Sequence, residues 1–328
     1  VTRPLVVFTD TTDLDPEPGR ALLERAGAAT MLLDLPAAPG MTREFPAGAE
    51  AAVALVVGYA RIDAEVLDHL PQVRCIATMS AGVDMVDLEA ARDRGIWVVN
   101  LVDAATEEVA AHALSLMLAL ERGLRESWAV TAAGGWTEDV AAVPRRLSGL
   151  TLGLFGYGRI ARRLAEIAAP TFGAVIAHDP FVAEGDGLVE LVDRESLLAR
   201  ADVLSLHLPL APETEGAIGA DAFAAMRPGA SLINVSRGEL VDSAALRAAL
   251  DAGTLRGAAL DVLDGEPPVA DHPLRDDPRV LVTPHVAFLS DGSLEHYTLD
   301  PARAIVEWLS TGTLPRAVVA GERGVALL

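Results

Sequence analysis

The chain has 328 residues, a length that favours two domains, and its 51% hydrophobic and 22% charged residues exclude a disordered chain. Its formal net charge of −21 opposes phosphate backbones and anionic lipid, so neither nucleic acid nor membrane is expected as a partner. All 26 Lys-plus-Arg positions are Arg, which excludes a lysine Schiff base, and the single Cys75 excludes an internal disulfide and a cysteine metal cluster. No metal site is predicted. No signal-peptide pattern opens the sequence and no apolar run is long enough to span a bilayer, so a cytoplasmic protein is expected.

In chain order, short apolar runs at 5–8, 53–57, 74–78 and 96–99 predict buried strands, with helical patterns at 19–27, 63–70 and 86–94. Alternation of strand and helix predicts a parallel sheet covered by helices. After Asn100 the pattern changes to one long Ala- and Leu-rich helix over 106–125, with Glu107 and Glu108 in its first turn. A Gly- and Pro-marked connection, 134–144, follows. A second alternating series predicts strands at 151–155, 174–178, 203–206, 231–235, 257–260 and 280–283, and 293–309 predicts a final amphipathic helix. The fold class is therefore α/β, with two doubly wound parallel-sheet domains.

The second series opens with Leu154-Phe155-Gly156-Tyr157-Gly158-Arg159-Ile160-Ala161, a G-x-G-x-x-A pattern between a strand and a helix. Gly156 permits the tight turn, Gly158 lets the backbone approach a pyrophosphate, and Ala161 keeps helix and strand close. The helix start then offers unpaired N–H groups to phosphate. Asp179 ends the next strand at about the spacing of ~20 residues at which an acid meets the ribose hydroxyls. Its charge repels a 2′-phosphate, so NAD is the expected cofactor.

Further along, Val203–Leu210 with Thr214, the segment Asn234–Asp242, the segment Ala259–Pro267 and Thr283-Pro284-His285-Val286-Ala287 together resemble the D-isomer-specific 2-hydroxyacid dehydrogenase family. The spacing from Arg237 to Glu266 and on to His285 fits the family, and Ser80-Ala81-Gly82-Val83-Asp84 extends the resemblance upstream. The chemistry suits these residues independently. Reduction of a 2-oxo acid needs a proton donor near neutrality, and histidine is the usual one. A carboxylate beside it holds the imidazolium, and arginine binds carboxylate or carbonyl oxygen with a planar fork. His285 is thus the expected general acid/base, Glu266 its partner and Arg237 the substrate-orienting cation.

The resemblance also implies that Ala81 and Gly82 receive the substrate carboxylate through backbone N–H groups. It places Asp261 at the nicotinamide carboxamide, and His207, Pro209, Thr214 and Val235 along the cofactor. Residues 1–100 and 287–328 would form a discontinuous flavodoxin-like substrate domain, with residues 101–286 a Rossmann-type NAD-binding domain. The helix at 106–125 would help build a homodimer. Two departures stand out: Ala111 replaces a frequent Glu, and the stretch Asp103-Ala104-Ala105 lacks a usual Gly. Trp136 and Phe288 are candidate walls of the substrate pocket.

The implied function is hydride transfer between nicotinamide and a small 2-oxo or 2-hydroxy acid. A glyoxylate- or hydroxypyruvate-like substrate is expected, because the loop Val57–Arg61 carries a single cation for a phosphate and no extra C-terminal regulatory segment is recognised. Two rivals are an NAD(H)-binding regulator without turnover and a 3-phosphoglycerate dehydrogenase.

Overall fold

A computed structural model describes residues 3–10, 14–37, 41–140, 143–322 and 326–328; positions 141 and 142 of the Gly- and Pro-marked connection lie outside them. Contacts divide the chain into Val1–Ala104 with Ser290–Leu328, and Ala105–Leu289.

The first unit begins with β1 (Leu5–Phe8), α1 (Glu17–Arg25), β2 (Ala29–Leu32), β3 (Ala52–Val57), α2 (Ala64–His69), β4 (Cys75–Thr78), α3 (Leu88–Asp93) and β5 (Trp97–Val99). All its strand pairs are parallel and their order is β2-β1-β3-β4-β5, the flavodoxin-like winding. The predicted central strands are there because both their faces are buried. In β4, Cys75, Ile76 and Ala77 are 0% exposed. β2 is not among the predicted strands: it is an edge strand, only half-buried, and its Ala-Thr-Met-Leu shows no long apolar run. Asp63 and Asp87 begin α2 and α3 by accepting the N–H of Val66 and Ala90.

The second unit holds α4 (Thr106–Glu121), α5 (Leu124–Ala132), β6 (Thr151–Phe155), α6 (Arg159–Ala168), β7 (Ala174–His178), β8 (Glu190–Leu191), α7 (Arg194–Arg200), β9 (Val203–Leu206), α8 (Ala220–Ala225), β10 (Ala230–Asn234), α9 (Ser243–Asp251), β11 (Leu255–Leu260) and β12 (Val280–Val282). The sheet order β12-β11-β10-β9-β6-β7-β8 reverses direction at β6 and β9, as in a dinucleotide-binding sheet. The single helix expected over 106–125 is two helices, because Gly123 takes a left-handed φ of +59° between them. Their burial differs. Val109, Ala110, Ala113, Leu116 and Met117 of α4 are buried, whereas no residue of α5 is. Buried Glu121 ends α4 by pairing with Arg145 at 2.7 Å and with the Ser231 hydroxyl at 2.6 Å.

The chain returns to the first unit as α10 (Asp291–Thr311), whose Ala302, Ile305, Trp308 and Leu309 join the core formed with β1, β3 and β4. At the missing-glycine stretch, Asp103 itself takes a positive φ of 63°, a conformation that Asp tolerates better than most side chains. Among the described residues no helix is long and apolar enough to cross a membrane.

Candidate active site

The glycine turn sits at the carboxyl ends of β6 and β9, where the strand order reverses. Gly156 has φ +90°, and a Cβ there would lie 2.5 Å from the His207 carbonyl oxygen. Only glycine fits. At Gly158 an added Cβ would meet nothing within 4 Å, so no protein neighbour demands a glycine there. The site fits an approaching pyrophosphate, because α6 begins at Gly158 with no side-chain cap. The helices α2, α3, α7 and α9 begin with an Asp cap, whereas α1, α4, α5 and α8 lack one as α6 does, so it is the glycine turn ahead of α6 that sets its start apart. Arg159 is exposed and Ile160 half-buried on the first turn.

Asp179 is half-buried and accepts the N–H of Tyr157 at 2.8 Å and of Phe181 at 2.9 Å, which holds its carboxylate beside the turn. Tyr157 is 1% exposed, and its hydroxyl donates to Asp186 at 2.8 Å. Other residues expected along the cofactor lie on loops after β9 and β10. His207 shares a 2.9 Å hydrogen bond with the Ser205 hydroxyl, and burial pushes its imidazole down to about 4, so it is neutral near pH 7. Thr214 closes its loop by donating to the Pro209 carbonyl at 2.7 Å and accepting the Ala211 N–H at 2.9 Å. Val235 is buried.

The structure brings Arg237, Glu266 and His285 to one edge of the seven-stranded sheet. Arg237 follows β10, on a turn held by Asn234, whose side chain donates to the Arg237 carbonyl at 2.7 Å. Glu266 lies on the loop after β11. One carboxylate oxygen accepts the Leu263 N–H at 2.9 Å, and the other lies 2.5 Å from His285 Nδ1. His285 and Glu266 remain 29% and 31% exposed at their side chains. Burial pushes the His285 pKa down, but the hydrogen bond and charge of Glu266 outweigh it. Arg237 also lowers the pKa and Asp261 raises it, and the balance lies above the ordinary histidine value. Phe288 stands edge-on to the imidazole, ring centres 6.4 Å apart. Trp136 is 68% exposed, in the connection after α5.

Two features were not legible in the sequence. Gly238 packs so tightly that a Cβ would lie 2.0 Å from the Leu263 carbonyl carbon, so the arginine and glutamate loops touch backbone to backbone. Asp261, 1% exposed, anchors the histidine loop. Its carboxylate accepts the Thr283 hydroxyl at 2.5 Å and the N–H groups of Val286 and Ala287 at 3.0 and 2.9 Å, while its carbonyl accepts the His285 N–H at 2.8 Å. His112 adds a 3.0 Å bond to the Thr283 hydroxyl. Burial pushes the Asp261 pKa up, yet these donors bring it below the usual range, so the clamp stays ionised. It holds His285 at φ +53°, a conformation that costs a non-glycine residue about 1–3 kcal/mol.

In the first unit, Ala81 and Gly82 follow β4. The Ser80 hydroxyl donates to the Gly82 carbonyl at 2.7 Å and Asn100 donates to the Ala81 carbonyl at 2.6 Å. Among the described residues, the N–H groups of Ala81 and Gly82 have no acceptor.

Residues 114–287 match the sequence model of the D-isomer-specific 2-hydroxyacid dehydrogenase NAD binding domain. The chain is 39% identical over 285 residues to the D-3-phosphoglycerate dehydrogenase of Mycobacterium leprae, an alignment covering 85% of this chain but only 53% of that protein. The chain thus spans about half the length of that relative. With the (S)-sulfolactate dehydrogenase of Chromohalobacter salexigens it shares 35% identity over 280 residues, 84% of this chain and 87% of the relative. The NADPH-dependent glyoxylate/hydroxypyruvate reductase of Sinorhizobium meliloti, solved with NADP and malonate, superposes with a TM-score of 0.86 at 30% identity, covering 99% of this chain and all of that one. The stretch that carries the glycine turn and all three charged residues is therefore an NAD-binding domain, and the chain belongs to the D-isomer-specific 2-hydroxyacid dehydrogenase family.

Proposed function

We propose that the protein is an NAD-dependent D-2-hydroxyacid dehydrogenase acting on small unphosphorylated acids of the glyoxylate or hydroxypyruvate kind. The observation that carries this reading is the 2.5 Å contact between His285 Nδ1 and Glu266, made beside Arg237. Bound NADH would supply the hydride that reaches C2 of the 2-oxo acid. Because Nδ1 is tied to Glu266, Nε2 of the imidazolium is the group that donates a proton to the carbonyl oxygen. Glu266 keeps the ring charged and oriented, and Arg237 binds the substrate's carboxylate or carbonyl oxygen through its fork. Taken by itself, the first unit offers the unsatisfied N–H groups of Ala81 and Gly82, a turn whose chemistry suits a carboxylate. Gly156, Gly158, Arg159 and Ile160 would hold the pyrophosphate, Asp179 the adenosine ribose, and His207, Pro209, Thr214 and Val235 the walls around them.

Turnover is favoured over a purely regulatory role because His285 is held in a strained conformation by a dedicated buried clamp, a cost that cofactor binding alone does not require. A phosphorylated substrate is the second reading, favoured by the 39% identity to a phosphoglycerate dehydrogenase. Against it, the only cation of the loop 57–61, Arg61, leans toward the Asp84 carbonyl at 3.4 Å. An NADH-oxidation screen over glyoxylate, hydroxypyruvate, its 3-phosphate and larger 2-oxo acids decides between them; oxidation with none of these refutes the enzyme.

The expected assembly is a cytoplasmic homodimer. Its support is the apolar surface of the second unit, where Leu124, Trp128, Trp136 and Val143 are 54%, 78%, 68% and 88% exposed. The stretch expected to build the interface, 106–125, is here α4 and α5: α4 packs one face into its own unit and keeps Glu107, Ala111 and Ser115 exposed, and α5 has no buried residue. Sedimentation equilibrium at micromolar concentration tests the assembly.

A further inference from the structure

Glu266 is aimed at His285 by its own loop. The chain turns back at Gly265, with φ +72°, so that the Leu263 N–H reaches the Glu266 carboxylate. Asp264, also between them, is bonded by two side chains from outside this loop, Ser243 and His272. The Ser243 hydroxyl, at the start of α9, donates to Asp264 Oδ1. His272 Nε2 lies 2.9 Å from the same oxygen. The His272 side chain is 5% exposed, and its Nδ1 accepts the Leu274 N–H at 3.3 Å, which places the ring proton on Nε2 and makes it the donor to Asp264. Ser243 is not needed to cap α9, because Asp242 already accepts the Ala245 N–H at 2.9 Å.

We propose that Ser243 and His272 are positioning residues. By both bonding Oδ1 of Asp264 they fix the loop 263–266 and so set the aim of Glu266 on His285. On its other side the same loop rests against the Gly238 backbone. It is therefore held between the arginine turn and the Ser243–His272 pair, with little freedom to swing Glu266 away. Burial raises the Asp264 pKa, but the bonds from Ser243 and His272 bring it below the usual carboxylate range, so the grip persists through neutral pH. The catalytic meaning of this grip rests on the dehydrogenase reading above; the aim of Glu266 can be read without turnover.

The test uses the full chain. The His285 pKa is followed by NMR of the imidazole ring in the unmodified protein, Ser243→Ala, His272→Leu, the double variant and Asp264→Asn, with His285→Asn to assign the signal. The charged groups facing that ring are Glu266, Arg237 and Asp261, and none of them is altered in the test set. A loosened Glu266 lowers the His285 pKa, most in the double variant. With NADH and saturating glyoxylate, the alkaline limb of kcat moves to lower pH by the same amount. The kcat falls about tenfold, within the ~10²-fold that a misplacement of ~1 Å can cost, while NADH affinity stays within about twofold. His272→Gln, which keeps a donor toward Asp264, restores most of the shift. Ser243→Ala alters a half-buried helix start that Asp242 still caps, so it reads the effect at smaller size even if the double variant does not fold. An unchanged His285 pKa in both Ser243→Ala and Asp264→Asn overturns the proposal. A shifted pKa in a protein that reduces no 2-oxo acid leaves the positioning role standing and sinks the dehydrogenase reading instead.

Discussion

The two sheets use their carboxyl edges differently. In the five-stranded sheet, Asp10 follows β1 and its carboxylate is committed to the neighbouring loop, accepting the N–H groups of Gly58, Tyr59 and Ala60 at 3.1, 3.3 and 3.1 Å. In the seven-stranded sheet the strand-end residue Asp261 is committed as well, yet what it holds in place is a half-exposed imidazole. One carboxylate closes a loop; the other holds a half-exposed imidazole in place. A charged residue at a strand end is therefore a poor guide to function until its acceptor capacity has been accounted for.

This contrast can be broken most forcefully at His285. His285→Ala should cost roughly 10²–10⁴-fold in kcat, the usual scale for a lost general acid, with NADH affinity nearly unchanged; a normal rate removes the catalytic assignment. Glu266→Gln keeps a hydrogen-bonding side chain and removes the charge that raises the His285 pKa. The sign follows from the raised value: reduction needs the imidazolium, so its alkaline limb should move to lower pH, and a pH–rate profile with an unmoved limb refutes the coupling. The same linkage makes the stability gained from protonating His285 complete below the ordinary histidine value and lost as pH rises through the raised one.

A smaller effect is expected at Asp179. NADH should bind about tenfold or more tightly than NADPH, since like charges ~4 Å apart repel by about 1–4 kcal/mol at protein surfaces; fluorescence titration with both dinucleotides measures it, and tighter NADPH binding ends the assignment. The smallest effect belongs to the other sheet. Asp10→Ala should lower unfolding stability by about 1–3 kcal/mol, because it leaves the N–H groups of buried Gly58 and Ala60 unmet, and should leave NADH affinity untouched. Denaturant melts with cofactor titration would show whether Asp10 is as purely structural as its bonds indicate.

Much of this was legible beforehand, for identifiable reasons. The central strands announce themselves because burial on both faces demands unbroken apolar runs. The edge strands β2 and β8 do not, being half-exposed, and β8 is only Glu190-Leu191. The break at Gly123 leaves no mark in the sequence, since a lone glycine inside a helical pattern breaks the helix only when its φ turns positive. Arg237, Glu266 and His285 were legible through their order and spacing. Gly238, Ser243, Asp264 and His272 were not, because each reads locally as an ordinary turn, helix-start or loop residue. Their importance arises only where segments distant in sequence meet.

Gly238 also bears on how this protein could be altered, in nature or by design. With no room for even one carbon between the arginine turn and the backbone of residues 263 and 264, neither loop can lengthen, shift or change its path alone. The two loops behave as a single exchangeable cassette. A relative's glutamate loop grafted without its matching arginine turn would jam, whereas the pair moved together would carry its geometry along. The two loops, separated by the sequence between Arg237 and Glu266, are contiguous in space.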